Sequence, residues 1–229
     1  MRKRTLIVLG IFLAFFVAQS CSSHPEQSLL SRYFNAVSMN DNSTMASMAL
    51  EPAQWDVASW KIVSVTPEKI EPVSLPALNQ KEMDAKKAQD AQIGPTMDSD
   101  AALANAKDEL DLARTAGAKT VAKKKVDEGQ AKYDAEYNKM KDLKKSYNEA
   151  KAAAAAEEQI TLFSLGVREL AGVRELTGNV HSKDVMVQIK TKQGVTKDYR
   201  LLMRMYQVQT GGAQRLPSRW VIIKFEAAG

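Results

Sequence analysis

The chain has 229 residues, of which 45% are hydrophobic and 26% charged, with a formal net charge of +5, one cysteine and two histidines. That length holds one ordinary domain plus an extra element, and the composition excludes a wholly disordered chain. A single Cys21 with His24 and His181 cannot build a disulfide framework or a structural zinc site, which take paired thiols or clustered imidazoles.

Arg2, Lys3 and Arg4 precede an uncharged apolar run from Leu6 to Val17, followed by Ala18-Gln19-Ser20-Cys21. This is the pattern of a secretory signal over residues 1–20. At about 1.5 Å per residue the run reaches roughly 18 Å, short of the ~30 Å hydrocarbon core, so it does not read as a spanning helix of the mature chain. The segment resembles the lipobox of bacterial lipoproteins, with Gln19 in place of the usual small residue. That resemblance implies acylation of Cys21 and a lipid tether to a membrane on its extracytoplasmic side; the alternative is a secreted protein with an incidental cysteine. Ser22 is not Asp, which by likeness to enteric lipoproteins favours the outer membrane facing the periplasm over the inner membrane. Loss of residues 1–20 removes three basic groups and leaves 29 basic against 27 acidic residues. So small a surplus gives no argument for a nucleic-acid partner.

Three segments of different period follow. Leu30, Tyr33, Phe34 and Val37 recur at helical spacing, Asn40-Asp41-Asn42-Ser43 interrupts, and Met45, Met48 and Ala49 start a second short helix. From Trp55 to Val65 the period becomes two, with Trp60 and Ile62 on one side, and Thr66-Pro67 closes the strand. Residues 21–75 are therefore the tether and the first half of an α+β domain.

Over 76–163 the composition shifts to Ala, Lys, Asp and Glu, which lose little side-chain entropy in a helix. Tyr133, Tyr137, Met140, Leu143 and Tyr147 follow one another at near-heptad intervals, as do Leu103, Ala106, Leu110, Ala113 and Gly117 upstream. One unbroken helix would hold its ends more than roughly 100 Å apart, so the flanks could not share a sheet. A coiled-coil hairpin solves this, with its tip at Gly117 or, if Gly94-Pro95 ends a separate helix, at Gly129. Lys123, Lys124 and Lys125 read as a solvated face or as a contact to an anionic partner or lipid headgroup.

Period two returns over 164–229, the second half of the domain, as a four-stranded antiparallel meander. Its strands are a weak one from Val173 to His181, one containing Val185, Val187 and Ile189, one from Thr196 to Gln209, and a last from Arg219 to Glu226. Gln193-Gly194 is a hairpin turn. Alternation sets Tyr199, Leu201, Met203 and Met205 opposite Arg200 and Arg204, and Val221, Ile223 and Phe225 share a face. A basic face at Arg200 and Arg204 serves solubility or the docking of an acidic partner. Joined across the insertion, the halves make an α+β fold: a curved antiparallel sheet with N-terminal helices on one face, interrupted by a long α-helical coiled-coil hairpin.

Tyr33-Phe34-Asn35-Ala36, the Asn40-Asp41 turn, Trp60-Lys61-Ile62-Val63 and Arg219-Trp220-Val221-Ile222 resemble small secreted domains related to nuclear transport factor 2. In that family a cone-shaped pocket between helix and sheet is enzymatic, ligand-binding or packed. Pocket candidates here are Tyr33, Phe34, Trp60, Tyr199, Met203 and Trp220. No nucleophile, base or metal set clusters in the sequence, His181 reads as a surface turn residue, and no cofactor motif is present, so the chain reads as a non-enzyme. The expected function is a lipid-anchored envelope protein whose hairpin contacts a protein partner. The alternatives are a ligand-binding or enzymatic pocket with the hairpin as decoration, and a protein like the periplasmic adaptors of efflux pumps, which also combine an anchor with an α-hairpin.

Overall fold

In a computed structural model of the chain, residues 24–53, 55–211 and 214–228 are described, and Cys21 lies outside them. The elements in order are α1 (Pro25–Met39), α2 (Asn42–Met48), β1 (Val57–Val65), β2 (Lys69–Pro72), α3 (Leu75–Leu112), α4 (Ala116–Leu165), β3 (Thr177–Thr191), β4 (Thr196–Gln209) and β5 (Val221–Ala227). The fold is α+β, with an open, curved antiparallel sheet in the order β1-β3-β4-β5 and β2 paired to β3. Its described residues divide into two compact units, one drawn from 24–69, 181–205 and 219–228, the other from 70–180 and 206–218. Thus β2 and the outer ends of β3 and β4 fall in the unit that holds the long helices.

In the first unit, α1 buries the expected stripe of Leu30, Tyr33, Phe34 and Val37. Asn40 ends it in the left-handed conformation at φ 54°, and Asp41 caps α2 by accepting the Thr44 N–H at 3.0 Å. These helices pack with Met45, Met48, Val185, Val187, Ile189, Leu201, Met203 and Ile222 into one core. β1 pairs with β3 so that Trp60 lies opposite Ile189 and Ile62 opposite Val187. The last strand departs from simple alternation. A bulge between the pairs Leu202/Lys224 and Met203/Ile222 puts Ile222, not Ile223, into this core together with Phe225.

The second unit is built on a hairpin of a 38-residue and a 50-residue helix, roughly 57 and 75 Å long at 1.5 Å per residue. Its turn is Ala113–Thr115, where the Thr115 side chain caps α4 by accepting the Ala118 N–H at 3.2 Å. Neither glycine expected at the tip forms it. Gly117 lies in the first turn of α4, and Gly129 lies within α4 against Leu103. Pro95 removes one backbone donor but does not end α3, because the neighbouring turns keep their bonds and packing against α4 holds the axis.

Leu75, Leu165, Val173, Leu176, Val180, Tyr206 and Val208 form a separate core in this unit. Two strand expectations change here. Val173–Glu175 is a 3-10 turn, and a single 15-residue β3 replaces the weak strand ending at His181 and the strand after it. In β4 the buried positions run Leu201, Met203, then Tyr206, Val208. That break in parity leaves Met205 half-buried, since each half of the strand supplies its own unit's core.

Candidate functional site

The six pocket candidates named from the sequence all lie in the first unit, where Tyr33, Phe34 and Met203 are core side chains less than 2% exposed. Phe34 stacks on Trp60 at 4.8 Å, and Tyr33 exchanges two hydrogen bonds with the Ala53 backbone, at 2.9 and 3.2 Å. Burial raises the Tyr33 phenol above its ordinary pKa, only partly offset by the Ala53 bond. Trp55 and Phe225, not among the pocket candidates, complete the group: Trp55 sits 4.8 Å from both Tyr199 and Phe225. Trp220 is half-buried beside a charged cluster that periodicity alone did not reveal.

That cluster follows from strand parity. His181 and Lys183 share the face of Val185, Val187 and Ile189 on β3, so both polar side chains turn inward, at 8% and 9% exposure. Glu26 lies one turn ahead of Leu30 on α1 and is 4% exposed. Lys183 Nζ donates to Glu26 Oε2 at 3.2 Å, lies 3.8 Å from Glu68 Oε2, and stands 4.5 Å over the Trp220 ring. His24 Nδ1 lies 3.0 Å from the other Glu26 oxygen.

Burial pushes the Glu26 carboxyl upward, but its own backbone N–H, Lys183 and His24 outweigh this and leave it below the ordinary carboxylate range. His181 Nδ1 meets Glu68 Oε1 at 2.5 Å. Nε2 is buried with no hydrogen-bond partner among the described residues. A carboxylate-oriented imidazole with a free second nitrogen can in principle hold a proton or a metal. Here that nitrogen is closed to solvent, and among the described residues no group of three His, Cys, Asp or Glu could hold a metal ion. His181 is therefore an interior strand residue, not a turn residue.

The expected basic face is charge-balanced at Arg200, which lies 3.4 Å from Asp184 and 3.5 Å from Glu226; Arg204 is half-buried. Lys123, Lys124 and Lys125 are exposed, and two are engaged: Lys125 crosses the hairpin to Glu109 at 2.5 Å and Lys124 reaches Glu128 at 3.7 Å.

The seam of the hairpin carries the second set of candidates. On α3, Gln89, Gln92, Thr96, Ser99, Leu103, Ala106 and Leu110 alternate in spacing of three and four, and each is buried or half-buried. On α4 the corresponding run is Ala122, Val126, Gly129, Tyr133, Glu136, Met140, Leu143, Tyr147 and Ala150. Glu136 thus occupies the seam position expected for Tyr137, which is 46% exposed. Gln92 donates to Glu136 Oε2 at 2.5 Å, a polar layer that fixes which residues of the two helices face each other. At the base, Arg174 joins both helices by donating to Glu82 and Glu158, each at 2.7 Å. Near the tip an open groove of about 510 Å³ runs between Leu112 and Val121 over Ala113, Gly117 and Ala118.

Among the described residues no helix is long and apolar enough to cross a membrane. Comparison of the chain with family models, with curated proteins and with solved structures finds no match.

Proposed function

We propose that this protein is a non-catalytic cell-envelope component, tethered by lipid on Cys21 to the periplasmic face of the outer membrane, whose helical hairpin is a protein-docking device. The observation that carries the reading is the outer surface of the hairpin. Met83, Ile93, Met97, Leu112, Val121 and Tyr137 are each between 45% and 72% exposed, on helices whose seam is already filled. Large apolar groups held on a register-locked rod suit recognition better than stability. The first unit, a helix-covered curved sheet, is proposed to be related to the nuclear transport factor 2 domains, with its aromatic group serving as core.

Tether and docking are tested separately. Replacement of Cys21 by serine should release the protein from membranes and abolish fatty-acid labelling; retention with unchanged labelling rules out the tether. For docking, crosslinked capture from native envelopes is compared between the full chain and a chain in which residues 97–132 are replaced by a short glycine turn distal to the Gln92–Glu136 layer. A defined partner should be captured by the full hairpin alone. Equal capture by both rejects the distal part of the hairpin as the docking device, and no partner with either rejects the docking reading.

A further inference from the structure

We infer that the distal hairpin carries a self-complementary flank on which a second copy of this chain docks side by side, α3 of one copy against α4 of the other. The inference rests on the hairpin being a contact device and names its partner. On α3, Asp98, Ala102, Asn105 and Glu109 each stand one position before a seam residue, and Leu112 continues their spacing to the turn. On α4, Val121, Lys125, Glu128 and Lys132 each stand one position before a seam residue, and Ala118 continues theirs toward the turn. All ten are exposed, so the two stripes border one open flank of the rod.

The tip groove lies on this flank, and its apolar walls Leu112 and Val121 are 72% and 61% exposed. Two cross-hairpin bonds, Glu109 with Lys125 and Gln92 with Glu136, set the antiparallel register and bring Asp98 level with Lys132. The α3 stripe is therefore acidic at Asp98 and Glu109, level with Lys132 and Lys125 on the α4 stripe, whose one acidic residue, Glu128, pairs with Lys124 of its own helix.

A two-fold axis along the rod places each α3 stripe against the other copy's α4 stripe at the same height. Asp98 then faces the partner's Lys132, Glu109 faces the partner's Lys125, and the Leu112 and Val121 walls close over each other's grooves. The antiparallel alternative sets α3 on α3 and stacks acid on acid. Charge complementarity thus selects both the occupant and its orientation.

The test uses two differently tagged full-length chains in mild detergent and measures how much of one is captured with the other. The wild-type pair should co-capture. Lys125→Glu with Lys132→Glu makes the flank uniformly acidic, and Asp98→Lys with Glu109→Lys makes it largely basic. Each double variant should lose self-capture by at least about tenfold, since like charges then face each other. A mixture of the two should recover it, because acidic and basic stripes again oppose.

Helicity at 222 nm checks that both remain folded. Gly117→Leu gives an independent reading: a Cβ at this groove-lining position meets nothing within 4 Å, so the larger side chain obstructs the groove and should also abolish self-capture while helicity at 222 nm is kept. Absent wild-type self-capture, self-capture insensitive to these changes, or a mixture that does not recover overturns the inference. So does binding to phosphatidylglycerol vesicles through Lys125 and Lys132 without self-capture, which would assign the flank to lipid. A different envelope protein captured by the hairpin in the absence of self-capture sinks this inference alone and leaves the docking function standing.

Discussion

Replacing Lys183 by methionine removes an ammonium from between two carboxylates while keeping most of its aliphatic stem. Glu26 and Lys183 are both more than 90% buried and sit 3.2 Å apart. Breaking such a pair from one side costs about 3–5 kcal/mol, because the remaining charge is left desolvated. Loss of the contact over Trp220, 4.5 Å from Nζ, adds about 1 kcal/mol. Against this, Glu26 keeps His24 at 3.0 Å, and Glu68, whose side chain is 38% exposed, can turn to water. The expected loss is therefore near the lower end, about 3 kcal/mol.

The assay is urea unfolding followed by tryptophan fluorescence, since Trp55, Trp60 and Trp220 all lie in the first unit and report it without interference from the hairpin. With a slope of about 1–3 kcal/mol per molar urea, the midpoint should fall by roughly 1–3 M. Adding Glu26→Gln to Lys183→Met should restore most of the loss, because the stranded charge is gone. A single variant within about 0.5 kcal/mol of wild type, or a double variant weaker than the single, would refute the claim that this pair is buried and coupled.

Three further outcomes are expected. Because the folded Glu26 carboxyl lies below the ordinary range, its contribution is complete above the unfolded value of about 4.3 and is lost as pH falls through the folded value; the stability difference between wild type and Glu26→Gln should shrink on acidification below about pH 5, and a difference that grows contradicts the sign. Gly178 has φ 140°, and a Cβ there would overlap Gln207 O and lie 2.9 Å from Val208 Cα, so Gly178→Ala should cost about 3 kcal/mol or more in thermal unfolding, whereas Gly117→Ala should gain about 0.5 kcal/mol. Gln92→Ala should weaken the hairpin by about 1–3 kcal/mol, read at 222 nm, by leaving Glu136 unpartnered in the seam, while leucine at both positions should stabilise it and loosen its register.

Local preference determined much of this architecture. The α1 stripe, the Asn40 and Asp41 caps, the β1 strand up to Pro67, the left-handed Gly194 of the turn before β4 and the long helices over 76–163 all follow from neighbours within about one helical turn or one strand; that those helices fold back as a hairpin follows from the need of the flanks to share a sheet. What the sequence did not disclose has one physical origin: the partner lies far along the chain. Lys183 and Glu26 are 157 positions apart and Glu68 is 113 from His181. A lysine and a histidine in an alternating run look like surface residues until tertiary packing brings carboxylates to them.

The same cause hid the seam, because Gln92, Thr96, Ser99 and Glu136 are polar in one dimension and become interior only when two helices lie side by side in the right register. Alternation likewise could not forecast the parity break in β4, where Met203 and Tyr206 supply different cores, nor the bulge that turns Ile222 inward. Sequence thus set most of the elements and their periods; pairing between distant segments added β2, merged two expected strands into β3, and decided which polar groups are buried, where the hairpin turns, and which stripes remain open for a partner.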